Sequence, residues 1–123
     1  MTDFLSVEKQ RYVSRTMDGL MNEVGLLQKW FKEEFPECEL RIHVDLNKIK
    51  LLLSINIRVM TSKEVTDNQG FFECPIKIPE KQFMNDRFMS PFLKSFNNEL
   101  RKNISQSVNN HLIMERLKET KNG

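Results

Sequence analysis

Residues 39–60 alternate apolar and polar side chains with hardly an interruption, and this constrains the fold more than any other stretch of the chain. Leu40, Ile42, Val44 and Leu46 fall on one side of an extended strand, and after Asn47-Lys48 the residues Ile49, Leu51, Leu53, Ile55, Ile57 and Val59 continue that side. A period of two specifies strands with one buried face. The Asn-Lys pair reads as a two-residue turn that keeps both strands in phase. It sets Asp45 opposite Lys50, His43 opposite Leu52, Arg41 opposite Ser54 and Glu39 opposite Asn56 on the outer face.

Long helical patterns flank this hairpin. In the first, starting at Thr2 or Ser6 and ending at Phe35 before Pro36, Val13, Met17, Leu20, Val24, Leu27 and Phe31 recur at steps of four and three. Such a rod reaches about 45 Å at 1.5 Å per residue, more than a compact chain of this size spans, so part of it is expected to project or to meet another copy. Gly19 and Gly25 each cost about 1 kcal/mol inside a helix, and Asp18-Gly19 is a turn signal. Because the seam keeps phase across both, one helix, straight or bent, is expected, with the glycines admitting a neighbouring backbone; a break at Asp18-Gly19 is the alternative.

Residues 61–70 read as a polar loop, followed by a third strand at 71–78 that Pro75 assigns to a sheet edge. A short helix over 80–88 follows Pro79. Ser90 as N-cap and Pro91 after it then start a final helix, which carries Leu93, Phe96, Leu100, Ile104, Val108 and Leu112 to about 118, with 119–123 fraying. The expected fold class is α+β in the order helix, three-stranded antiparallel sheet, short helix, long helix (αβββα). Both long helices pack on one sheet face, and residues 1–123 form a single domain.

Composition excludes several function classes. A net charge of +2 spread over many charges of both signs fits neither a polyanion mimic nor a histone-like polycation. No apolar run is long enough for a membrane span, and Met1-Thr2-Asp3-Phe4 lacks the layout of a signal peptide, so a cytoplasmic, reducing setting is expected. Alanine is absent, and Gly and Pro are sparse beside abundant Asn, Lys, Phe and Ile. The missing residues have GC-rich codons, which points to a low-GC bacterium or a bacteriophage.

Cys38 and Cys74 share the inward parity and read as buried small hydrophobes; in a three-strand meander they lie two strand spacings apart, too far for a disulfide. His43 and His111 fall on different elements with no second ligand at metal spacing, and the carboxylates scatter over outer faces. There is no phosphate-binding glycine loop and no nucleophile elbow. A non-enzymatic protein is expected, with no catalytic residue, metal, cofactor or small-molecule substrate.

Surface charge suggests where a partner binds. Residues 80–123 hold eight basic and five acidic side chains, whereas residues 1–37 hold five basic and seven acidic. Arg101, Lys102, Arg116 and Lys118 on the last helix, with Arg41 and Arg58 on the outer sheet face, form the candidate contact to a DNA backbone. Leu52, Met60 and Phe71, on that face by parity, and Trp30 on the first helix form the candidate contact to a protein.

Element order and one local stretch add a resemblance. Ile76-Lys77-Ile78-Pro79 at the end of the third strand, and Phe96-Asn97-Asn98-Glu99-Leu100-Arg101-Lys102 in the last helix, resemble the YbaB/EbfC nucleoid-associated proteins, which are small DNA-binding bacterial dimers. The likeness covers most of the chain in topology and about 25 residues in sequence. The family's Gly-rich and Met-rich tails are missing, and no binding residue is carried over. The double-stranded-RNA-binding domain has the same element order, but its first helix is shorter and its last helix opens on basic residues, unlike Ser90-Pro91-Phe92-Leu93.

The expectation is a regulatory homodimer, joined through helix ends or the sheet, that associates with duplex DNA. The alternative is a phage or mobile-element protein that inhibits or adapts a host protein.

Overall fold

The computed structural model describes residues 6–61 and 70–122, with side chains described as far as residue 118. Its elements are α1 (Val7–Glu34), β1 (Cys38–Asn47), β2 (Leu52–Thr61), β3 (Phe72–Ile78), α2 (Glu80–Phe83) and α3 (Asp86–Asn122). The strands form one antiparallel sheet in the order β1-β2-β3. This is the expected α+β arrangement. A start near Thr2 and most of the expected polar loop over 61–70 lie outside the described residues.

α1 is a single unbroken helix. The Ser6 side chain accepts from the Lys9 backbone N–H at 3.3 Å, a standard N-cap bond, and the helix runs through Asp18-Gly19 to Glu34. Leu20, Val24, Leu27 and Phe31 are buried, while Val13 and Met17 are half-buried against the same core. The glycines do not admit a backbone. A Cβ on Gly19 would touch only the Leu93 side chain, at 3.5 Å, and one on Gly25 would meet nothing within 4 Å.

The hairpin keeps its expected faces but not its expected register. Asp45 pairs with Ser54, His43 with Asn56, Arg41 with Arg58 and Glu39 with Met60. The last pair is Asn47 with Leu52, so residues 48–51 form the connection. The Asn47 side chain accepts from the backbone N–H groups of Ile49 (3.0 Å) and Lys50 (2.9 Å), an Asx turn that opens the loop. Leu51 closes it with φ 51°, in the left-handed region. Lengthening the loop by an even number preserves parity, which is why Leu51 and Leu53 still face the core. Ile49 does not; it is 78% exposed at the loop tip.

The inward row of β2 is the centre of the core: Leu53, Ile55, Ile57 and Val59 are at most 1% exposed, under Leu20, Val24, Leu27 and Phe31 of α1 and Phe96, Leu100, Ile104 and Val108 of α3. The flanking inward rows are less covered. Cys38 and Cys74 are half-buried thiols on β1 and β3, separated by β2 and not joined in a disulfide; burial raises the pKa of the Cys74 thiol above its ordinary value.

The last helix starts earlier than Ser90-Pro91 suggests. α2 ends at Phe83, and Asn85 caps α3: its side chain accepts from the Arg87 N–H at 3.0 Å, and its carbonyl from Phe88 and Met89. Asn85 makes the bond that Ser90 was expected to make. Pro91 therefore lies inside the helix, where it gives up one intrahelical bond. Helix α3 also runs past 118, to Asn122. Tyr12 of α1 fastens the junction from below; its hydroxyl donates to the Phe83 carbonyl at 2.9 Å, and its ring meets Phe83 edge-on. Desolvation raises the Tyr12 pKa above its ordinary 10.0, partly opposed by a hydrogen bond with Thr16.

Candidate interaction surfaces

The outer sheet face is polar and electrically balanced. Across β1, β2 and β3, Arg41, Arg58 and Glu73 share one row, His43, Asn56 and Pro75 the next, and Asp45, Ser54 and Lys77 the third. Arg41 lies 3.4 Å from Glu39, and Arg58 lies 3.4 Å from Glu73. Exposed pairs of this kind contribute about 0–1 kcal/mol each, but they cancel the positive field that a polyanion would seek. The two arginines expected to meet DNA here are thus matched by neighbouring carboxylates.

The apolar trio expected on this face does not assemble. Leu52 and Met60 sit at opposite ends of β2, about 26 Å apart at roughly 3.3 Å per residue. Leu52 is half-buried, and Met60 is 0% exposed although it lies outside the main core cluster. Consecutive Val59 and Met60 are both buried, so the apolar/polar alternation fails at this end of the strand. Phe71 precedes β3 at a bend, where strand parity no longer fixes its direction. Its ring stacks on His111 of α3 instead.

Trp30 and Arg101, assigned by sequence to different partners, contact each other. The Arg101 guanidinium lies 5.4 Å from the Trp30 ring centroid, and Trp30 packs edge-on against Phe31 and Phe35. Such a cation–π contact contributes about 0.5–2 kcal/mol, the more as it is desolvated. Arg101 Nε is buried without a hydrogen-bond partner, as is Oδ1 of Asn97 one turn earlier; the Asn97 amide donates to Glu23 of α1. Arg101 is therefore part of the α1–α3 seam. Lys102, Arg116 and Lys118 are exposed on α3.

The feature that sequence reasoning missed is the far end of α3. The buried stripe stops at Val108, and Leu112, which was expected to continue it, is 41% exposed. Ile113, Met114 and Leu117 are 54%, 57% and 52% exposed. At roughly 100° per residue they share the helix face opposite Ile104 and Val108, with Arg116 to one side and Lys118 to the other. A shallow depression of about 290 Å³ lined by Phe71, Ser107, Asn110, His111 and Met114 adjoins them. The signal was present in the sequence: three consecutive apolar residues, Leu112-Ile113-Met114, break a spacing that had been mostly four.

Among the described residues, no group of three or more His, Cys, Asp or Glu could hold a metal ion, and no helix is long and apolar enough to cross a membrane. Comparison of the chain with family models, with curated proteins and with solved structures gave no match in any of the three.

Proposed function

We propose that the protein is a non-enzymatic interaction module that binds another protein through the apolar end of α3. The observation behind this reading is the Ile113, Met114 and Leu117 face, half exposed on a helix that extends beyond its own core. An amphipathic helix of this kind suits an apolar groove, read as anchors at i, i+1 and i+4. With Arg116 and Lys118 flanking the anchors, the matching groove has an acidic rim. This is the mode of a small inhibitor or adaptor, which works by occupying a partner's surface.

The test is a nuclease-treated pulldown followed by titration of the purified partner. Ile113→Asp with Leu117→Asp should abolish binding while leaving the circular dichroism spectrum and melting unchanged. A partner that binds this variant as well as it binds the parent chain removes the reading.

Association with duplex DNA is the second reading, supported by Lys102, Arg116 and Lys118 on the exposed surface of α3 and by the resemblance of residues 96–102 to the nucleoid-associated family. It is weaker because Arg101 packs against Trp30 and the sheet face is balanced in charge. Each phosphate contact would steepen the fall of affinity with salt by about one unit in the log–log slope. Binding that is absent at low salt ends this reading.

A further inference from the structure

Among the described residues, no strand pairs with the outer border of β1. The strand runs ten residues, from Cys38 to Asn47, in continuous register with β2, and it contains no proline, glycine or bulge. Edge strands are ordinarily guarded by such devices, by inward-pointing charge or by a covering element. The opposite edge, β3, has Pro75.

The inward side chains of β1 are incompletely covered as well. Cys38, Leu40, Ile42, Val44 and Leu46 are all only half-buried, whereas the inward residues of β2 beside them are sealed. A cleft of about 570 Å³ opens along this border, reaching Leu40 and Ile42 beneath Gln28 of α1. One occupant satisfies both a row of backbone groups and a row of apolar side chains: another strand.

We propose that this strand is β1 of a second copy, antiparallel and related by a two-fold axis through His43, so that two three-stranded sheets become one continuous sheet. Inward residues must oppose inward residues, which requires the axis to pass through a residue. With the axis at His43, Arg41 faces Asp45 of the second copy and Asp45 faces its Arg41, while Ile42 meets Val44 and Leu40 meets Leu46 on the helix side. Every neighbouring register is worse. An axis at Ile42 opposes Glu39 to Asp45, one at Arg41 sets the two Arg41 side chains together, and one at Val44 puts Arg41 opposite Asn47, so that neither Arg41–Asp45 pair forms. Arg41 contacts Glu39 within its own strand across an exposed 3.4 Å pair, and contacts of this kind contribute about 0–1 kcal/mol. The inference is independent of the α3 reading, because it uses another element and its failure leaves that reading in place.

The experiment is disulfide trapping on the full chain in a Cys38→Ser, Cys74→Ser background, with circular dichroism confirming the fold and sedimentation giving the solution mass. His43→Cys should crosslink to itself under mild oxidation, since it would face its own copy across the axis. Asp45→Cys alone should not, but an equal mixture of Arg41→Cys and Asp45→Cys chains should crosslink to each other. As a second arm with the cysteines intact, Arg41→Asp should dissociate the dimer, and Arg41→Asp combined with Asp45→Arg should restore it. A monomer at every soluble concentration, self-crosslinking of Asp45→Cys, or a dimer that His43→Cys does not trap would each overturn the proposal.

Discussion

The ring of Phe71 lies flat on the imidazole of His111, with centroids 4.1 Å apart and planes 8° from parallel. This contact joins the entry of β3 to α3 just where the buried stripe of the helix ends, and Glu115 approaches the same imidazole at 3.9 Å from the next turn. Truncating either ring releases both elements. Phe71→Ala should cost about 1–2 kcal/mol, and a double-mutant cycle with His111→Ala should show coupling of about 0.5–1.5 kcal/mol. Urea denaturation of the four proteins in the cycle measures it; strict additivity would mean the rings do not hold each other.

Alkaline pH should weaken the fold through Tyr12. Desolvation keeps its phenol protonated in the folded chain above the ordinary value of 10.0, so the unfolded chain is the first to release that proton. The contribution is fully present below that value and is lost as pH rises through the raised one. Tyr12→Phe should remove this alkaline loss, while costing about 1 kcal/mol at neutral pH from the missing bond to the Phe83 carbonyl. Melting curves on either side of pH 10, with tyrosinate absorbance followed in parallel, check both.

The start of α3 distinguishes two candidate caps. Asn85→Ala should cost about 1 kcal/mol because the Arg87 N–H loses its acceptor. Ser90→Ala should be nearly neutral. Pro91→Ala should raise stability, by up to about 3 kcal/mol if the helix closes the missing bond without other change. Thermal melts of the three single variants rank them.

Two glycines should respond in opposite directions. Gly25→Ala should stabilise by about 0.5–1 kcal/mol, since it removes backbone entropy from a helix interior and a Cβ there meets nothing. Gly70→Ala should destabilise, because its Cβ would lie within 2.5 Å of the Val59 carbonyl oxygen, a backbone atom that cannot move aside cheaply. Chemical denaturation midpoints decide each sign.

The architecture was legible because its signals are local and repeated. Strand parity along 40–46 and 53–59, the seam of α1 and the polar cap at Ser6 each require one element type, and tertiary packing agrees with them. Register was not legible in the same way. It depends on the Asn47 side chain closing an Asx turn and on Leu51 accepting a left-handed backbone, and periodicity encodes neither. The cap was misplaced because Ser-Pro is the stronger pattern in sequence, whereas Tyr12, from 71 residues upstream, binds the carbonyl of Phe83 beside the true boundary. Surface assignments fared least well. Parity says which face a side chain leaves from but not what it meets, so Arg101 was read as free when it lies on Trp30, and Met60 as presented when it is sealed.

Pro75 has a consequence for growth. A chain that offers one open border and one interrupted border can join a like neighbour at the first, but the second lacks a donor in mid-strand and gives poor footing for a third. If two copies join through β1 as proposed, self-association through the sheet would therefore be disfavoured beyond that single union.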